Sequence, residues 1–209
     1  MVANRETLDP TRTPKRHLKR DASDPMRSTK RRLKRAEYDL LVEHDAFEDE
    51  RIELLFGEIY AMSPQKPPHS RVTSRLAEVL VLGLQGRAKV QSHSPIVGAR
   101  ESEPEPDIAV YDPRDDQTND HPTHVHLVIE VMQSSRYRDL TLKRRLYALT
   151  RIPEYWVVEI ARRCVRVMRD PSGDGYNTES THSVTPGAVL SLLAFPDVTV
   201  ALDDLFQGL

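Results

Sequence analysis

Apolar and polar positions alternate along this chain with two different periods, and the switches between them mark out its elements. Leu40, Leu41, Ala46 and Phe47 predict a short amphipathic helix over residues 37 to 47. RIELLFGEIYAM follows, where Phe56-Gly57 reads as a two-residue turn joining two strands, with Gly57 available for a positive φ. In that register Leu55 faces Glu58 and Glu53 faces Tyr60, so Glu53 and Glu58 share one side of the hairpin. Pro64, Pro67 and Pro68 are expected to keep the chain out of a helix until His69 or Ser70. Val72, Leu76, Val79, Leu80 and Leu84 then recur at helical spacing and predict a helix from Ser70 to Gly83, packed by one face. Residues 89 to 97 read as a strand.

In EPEPDIAVYD the prolines at 104 and 106 hold the backbone extended and withhold donors, so the strand begins at about Asp107. Ile108 and Val110 fall on one face, and Ala109 and Tyr111 on the face of Asp107. A polar, turn-rich loop covers residues 112 to 124. VHLVIEVM is apolar on both faces apart from His126 and Glu130, the pattern of a strand inside a covered, mainly parallel sheet. A helix is predicted from Arg138 to Leu149, with Leu140, Leu142, Leu146, Tyr147 and Leu149 on one half of its wheel and Arg138, Thr141, Arg144 and Arg145 on the other. YWVVEI forms a further strand with Tyr155 and Trp156 in the core, and the sequence around Ser172 to Gly175 turns a hairpin.

Length and charge refine this picture. A chain of 209 residues suits one well-buried domain, here residues 37–209. The longest apolar run, Val79 to Leu84, falls far short of the ~20 residues of a membrane span, and the basic N-terminus has no apolar core of a secretory signal. Cys164 is the single cysteine, which excludes an intramolecular disulfide or a thiolate cluster and fits a cytoplasmic location. The net charge of -2 hides an asymmetry, because residues 1–36 carry roughly +8 and the remainder roughly -10. A basic arm with few apolar residues does not fold alone. It either grips nucleic-acid phosphate, or is a solvated tail, or precedes a true start at Met26.

The candidate chemistry lies between residues 105 and 147. Asp107 stands at a strand entrance, either a preorganised ligand or a strand cap. Glu130 lies inside a strand buried on both faces, where an unpaired carboxylate is expensive, so it needs a metal, a lysine or a hydrogen-bond cluster. Lys143 sits in the middle of an apolar helix half and either snorkels outward or meets an acid; Glu130 is one partner and Asp139, four residues earlier, the other. Glu53 and Glu58 could share a metal or face solvent, and His69 could touch a phosphate or metal or merely sit by a helix cap. His121, His124 and His126 crowd a loop end without a recognised zinc spacing. Two acids and a lysine meet the needs of phosphodiester hydrolysis. Mg2+, with Mn2+ as a substitute, tolerates few carboxylates and keeps waters to exchange, while lysine adds a fixed positive donor.

The ordered set ELLFGEIYAM, a His at a helix start, PDIAVYD, VIEV, D-x-x-x-K-x-x-x-Y and PEYWVV resembles the Uma-two-type restriction endonuclease family of the PD-(D/E)XK nuclease-like proteins, over residues 37 to 206. The resemblance implies an α/β fold, a restriction-endonuclease-like mixed central β-sheet flanked by helices, with additional hairpins. It also implies a Mg2+-dependent nuclease with metal ligands at Asp107 and Glu130, a further ligand in the backbone carbonyl of Val131, and Glu53 as another site residue. The superfamily lysine two residues after the acid is replaced here by Met132, and Lys143 on the following helix is its substitute. Where the family shows Ser-Pro and Gly-Val, this chain has Gln133-Ser134 and Arg151-Ile152. A second Pro-Asp, Pro196-Asp197, has no lysine after it, so position selects Asp107. DNA is the expected substrate, RNA or branched DNA being the alternative, and nucleases of this fold often act as homodimers. The competing class is an inactive nuclease-like fold that binds nucleic acid or protein.

Overall fold

The computed structural model describes residues 31–133 and 137–209, and within it Arg32–Leu209 form one unit. The basic segment up to residue 30, including Met26, and Ser134 lie outside the described residues, as does the side chain of Asp139. Helix α1 spans Arg35–Glu43, shorter than the residues 37 to 47 expected, because turns occupy residues 44 to 49. Strands β1 (Ile52–Leu55) and β2 (Glu58–Ala61) pair antiparallel with Glu53 opposite Tyr60 and Leu55 opposite Glu58. Phe56 and Gly57 both have positive φ, 51° and 78°, the two left-handed positions of a tight hairpin turn.

Helix α2 (Pro67–Leu84) starts three residues earlier than the prolines suggested. Proline is unfavourable inside a helix but suits its first positions, where no N–H partner is needed and φ is already set. Val72, Leu76, Leu80 and Leu84 form its buried stripe. Strand β3 (Lys89–Ser92) is short, and the chain leaves it through His93 at φ 50°.

The main sheet has six strands in the order β3, β4 (Ile108–Tyr111), β5 (Val125–Met132), β6 (Glu154–Glu159), β7 (Cys164–Ser172) and β8 (Gly175–Ser183). Only β5 and β6 run parallel; every other neighbouring pair is antiparallel. The expectation of a mainly parallel sheet is therefore corrected. A strand apolar on both faces reports that both faces are covered, not the direction of its neighbours. Here α2 and the C-terminal segment cover one face, and α3 (Tyr137–Leu149) packs on the other through Tyr147 and Ala148. The pairing shifts from Val110↔Leu127 to Tyr111↔Val125, leaving His126 as the extra residue of a bulge and turning its ring onto Phe195.

The C-terminal segment forms a hairpin of β9 (Val189–Ser191) and β10 (Thr199–Ala201), then α4 (Leu202–Leu205). Glu154, fully buried, fastens this segment to the sheet. It accepts from Trp156 Nε1 at 2.9 Å, Arg169 Nε at 2.8 Å and the Leu193 amide at 2.7 Å. No helix among the described residues is long and apolar enough to cross a membrane.

Candidate active site

Asp107 lies one residue before β4, at the sheet end where β5 continues past it. Its Oδ2 accepts from the Val131 amide at 2.7 Å and lies 3.1 Å from His69 Nε2, while Oδ1 lies 3.4 Å from His93 Nδ1. Burial alone would raise this acid, but hydrogen bonds from His69 and His93 and from the Val131 amide outweigh it. Asp107 is held well below the usual carboxylate range. His69 occupies the first turn of α2, with Lys66 as the preceding cap residue, so it is not the capping neighbour that the sequence allowed. Its Nδ1 is buried with no hydrogen-bond partner among the described residues.

Glu130 projects from β5 toward α3. Its Oε1 accepts from Lys143 Nζ at 3.0 Å and from Tyr147 Oη at 2.8 Å. Lys143 points inward, and its ammonium reaches three acceptors, one for each N–H: Glu130, Glu53 Oε2 at 3.0 Å and the Glu105 carbonyl at 3.4 Å. Glu53 Oε2 also accepts from the Glu105 amide at 3.1 Å, tying hairpin β1–β2 to the extended segment before Asp107.

Asp107, Glu130, Lys143 and Glu53 are each at most 8% exposed. All four line one cavity of about 490 Å3, with His69 and Val131. Glu58 does not join them. It shares the hairpin face with Glu53 but sits beside the turn, exposed, bonded to Tyr60 Oη at 3.2 Å. The three histidines after the loop go separate ways: His124 to Asp115 at 2.8 Å, His121 to within 3.7 Å of Glu103, and His126 to Phe195. Asp197 is exposed and pairs with Arg87 at 2.7 Å, away from the cavity.

The electrostatics of the recess are unbalanced. Three buried carboxylates, Asp107, Glu130 and Glu53, share the cavity with one buried ammonium, Lys143; the other lining Lys and Arg among the described residues are exposed Lys66 and exposed Arg51, the latter paired with Glu105. Burial, reinforced by Asp107 and Glu53, outweighs Lys143 and Tyr147 at Glu130 and pushes it up to about 7. Lys143 is held above its usual range, since Glu130 and Glu53 overcome the opposing effect of burial. The two shifts are compatible because one lysine cannot neutralise three acids. Among the described residues no three His, Cys, Asp or Glu side chains converge as a ready-made metal cage. The donor set nevertheless fits a hard divalent cation that needs only one or two carboxylates and completes its shell with water and substrate oxygen.

Two neighbours had no role assigned from sequence. Tyr147 follows Lys143 by four residues, so the helical spacing that turned the lysine inward also carries the tyrosine to Glu130. His93 reaches Asp107 from a left-handed residue at the end of β3, and no periodic signal marks such a position.

A search for similar solved structures matches a putative nuclease belonging to DUF820 from Anabaena variabilis, at 19% sequence identity and a TM-score of 0.63, covering 76% of this chain and 91% of that one. At that identity the likeness establishes the shared fold. No curated protein matches the chain. The family model Uma2, described as "Putative restriction endonuclease", matches residues 35–203, which takes in both hairpin acids, Asp107 before β4, Glu130 on β5 and the α3 lysine. Over that span, more than half its length, the chain belongs to the Uma2 family of putative restriction endonucleases.

Proposed function

We propose that this protein is a metal-dependent endonuclease that hydrolyses phosphodiester bonds in DNA, with Mg2+ as the metal and Mn2+ as a substitute. The observation that carries this reading is the set of three buried carboxylates, Asp107, Glu130 and Glu53, lining one recess with a single buried ammonium, Lys143. Restriction-endonuclease-like families generally use divalent metals. Asp107 and Glu130, with the Val131 carbonyl, would hold the ion. When bound, it supplies charge neutralisation at the phosphate and a more acidic water.

The chain's own residues set up the rest. The Val131 amide and His69 fix the orientation of Asp107, so its carboxylate needs no reordering when substrate arrives. Tyr147 holds Glu130 against the strand. Lys143 keeps its proton between Glu130 and Glu53 and holds a fixed positive charge beside the scissile phosphate, where negative charge grows during attack. Glu53 is a positioning residue, acting through Lys143. We place the enzyme in the cytoplasm, where it would meet DNA, and a homodimer would present two such sites to two strands.

Purified protein should nick supercoiled plasmid with Mg2+ or Mn2+ and not with EDTA, and the Asp107→Ala/Glu130→Ala variant should be inactive. If nothing is cut, calorimetric titration with Mg2+ decides. Binding that the double variant loses keeps the metal site, whereas no binding at all moves the protein to the non-catalytic, binding class.

A further inference from the structure

We infer that the turn of hairpin β1–β2, with the three segments packed around it, is a docking surface for the phosphate backbone of duplex DNA beside the cut. The inference rests on the endonuclease reading and adds to it a place where the substrate is held.

The recess is a poor source of that hold. Carboxylates repel a phosphodiester until a cation stands between them, and affinity for DNA comes chiefly from Lys and Arg on phosphates of the flanking backbone. Such contacts have to lie around the recess. The hairpin leads to one such place. Leu55 lines the cavity, and the next two residues, Phe56 and Gly57, make the turn. From Glu53 to Gly57 the strand covers about 13 Å at ~3.3 Å per residue, roughly four base-pair steps of duplex.

Three segments converge on the turn, and each carries an exposed arginine. The Leu33 amide donates to the Gly57 carbonyl at 3.0 Å, and Arg32 lies so close to Gly57 that a side chain there would collide with it. The Gly57 amide donates to the Glu101 carbonyl at 2.6 Å, which brings Arg100 alongside, and the Arg100 carbonyl accepts from the Arg35 amide at 2.8 Å. From the third segment, α3, the Arg145 guanidinium lies over the Phe56 ring, 5.4 Å from its centre. Arg145 follows Lys143 by two residues, so one helix serves both the recess and the turn. Arg32, Lys34, Arg100 and Arg145 are all exposed. Arg35 is committed elsewhere, to Asp39, Glu103 and Asp120.

The neighbouring acids do not cancel this surface. Glu37 is spent on the Lys34 amide and Glu58 on Tyr60 Oη. Asp174 stands 3.7 Å from Arg145 with its side chain 72% exposed, an ion pair of little worth that yields to a phosphate. Glu101 is half-buried. In sequence the surface is entered by Lys30-Arg31-Arg32-Leu33-Lys34-Arg35, five cations in six residues. A guanidinium held flat on an aromatic ring keeps its N–H edge for a phosphate, and arginine on phosphate reads no base. Docking should therefore be indifferent to sequence.

The test uses the full chain and a fluorescein-labelled duplex, with anisotropy measured in EDTA from about 50 to 200 mM salt. Arg32→Gln/Arg100→Gln/Arg145→Gln should flatten the slope of log K against log salt by about 2.7, ~0.9 for each lost phosphate contact, and weaken binding more than tenfold. A second duplex of unrelated sequence should show the same change. The variant with lysine at the same three positions should keep the parental slope, which separates lost charge from lost folding. Arg162→Gln, at an exposed arginine between β6 and β7, should bind like the parent. A slope that moves by less than about one unit in the glutamine variant, a lysine variant that loses as much, an equal loss from Arg162→Gln, or a parent that does not bind duplex overturns the inference. Cleavage with Mg2+ or Mn2+ is followed in parallel. Cleavage by the parent with an unchanged slope removes the docking surface and leaves the endonuclease reading. A changed slope without any cleavage supports the surface and counts against the endonuclease reading.

Discussion

Replacing Lys143 with methionine removes the one ammonium that Glu53 and Glu130 share. The linear, similar-sized side chain fills the space, so the loss is electrostatic and not a cavity. Both carboxylates stay in the recess at 7% and 8% exposure, their common partner gone. Breaking a buried ion pair from one side destabilises by about 3–5 kcal/mol. For a unit of this size, that corresponds to a midpoint lowered by roughly 6–20 °C. The loss should also depend on pH. Glu130 already holds its proton up to about 7 against the attraction of Lys143; without the lysine it should hold it higher still. The folded chain then carries a proton that the unfolded chain has released over a wider range, and stability falls as pH rises through that range. Urea unfolding of parent and Lys143→Met at pH 5.5 and pH 8 measures both quantities. The deficit should be larger at pH 8, and adding Glu53→Gln and Glu130→Gln should recover most of it. A deficit below about 1 kcal/mol, the scale of an exposed pair, would refute the reasoning, as would an equal deficit at both pH values.

Glu130→Gln should show the complementary behaviour. Between the ordinary carboxylate value of 4.5 and about 7 the folded parent retains the Glu130 proton, so parent stability declines with pH where the variant's does not, and the midpoint of the variant relative to the parent should climb across that window. Glu103, also raised to about 7 by burial, is common to both proteins and cancels in the difference. Mg2+ or Mn2+ at about 100 times its dissociation constant should stabilise the parent by about 2.7 kcal/mol, several degrees by differential scanning fluorimetry, and should leave Asp107→Ala/Glu130→Ala unmoved. Arg151 sits at φ 62° just past α3, where the Arg151 and Ile152 amides donate to the Ala148 and Tyr147 carbonyls, an end geometry that glycine fits best. Arg151→Gly should therefore raise the unfolding free energy by up to ~1 kcal/mol, less what is lost with the Arg151 bond to the Pro171 carbonyl. Tyr147→Phe deletes a hydrogen bond to a buried carboxylate and should lower stability by about 1.5–3 kcal/mol.

Some of this arrangement was legible in the sequence because local rules decide it. Phe56-Gly57 fixes the hairpin register, since a one-residue shift would turn every side chain over. The wheel of α3 puts Lys143 in the apolar half, which left it to snorkel outward or meet an acid; it turns inward because Glu130 and Glu53 are there to receive it. The same wheel placed Leu149 with the apolar half, yet the last residue of the helix is 47% exposed, because α3 ends just as it leaves the sheet. The Arg151-Ile152 departure from the family's Gly-Val leaves the turn intact, with arginine adopting the left-handed conformation.

Other features depend on contacts between distant segments. Pro67 and Pro68 read as breakers because their effect changes sign between helix interior and first turn, and only the location of the cap at Lys66 resolves it. Glu154 is fully buried in a strand that looked simply apolar, and its partner Arg169 becomes visible once β6 and β7 are aligned, Glu154 opposite Arg169. His93 meets Asp107 through a turn conformation that no pattern of polarity encodes.

The central claim is that Asp107, Glu130 and Lys143 act as one hydrolytic unit, and single-turnover cleavage by Asp107→Ala, Glu130→Ala and Lys143→Ala, singly and combined, tests it most directly. Each variant is first confirmed folded by circular dichroism. Residues that work as a unit are strongly non-additive, so each single replacement should reduce the rate by at least about 100-fold and the triple replacement should lower it little further. Losses that simply multiply from one variant to the next, or near-parental cleavage in any of the three, would contradict the claim.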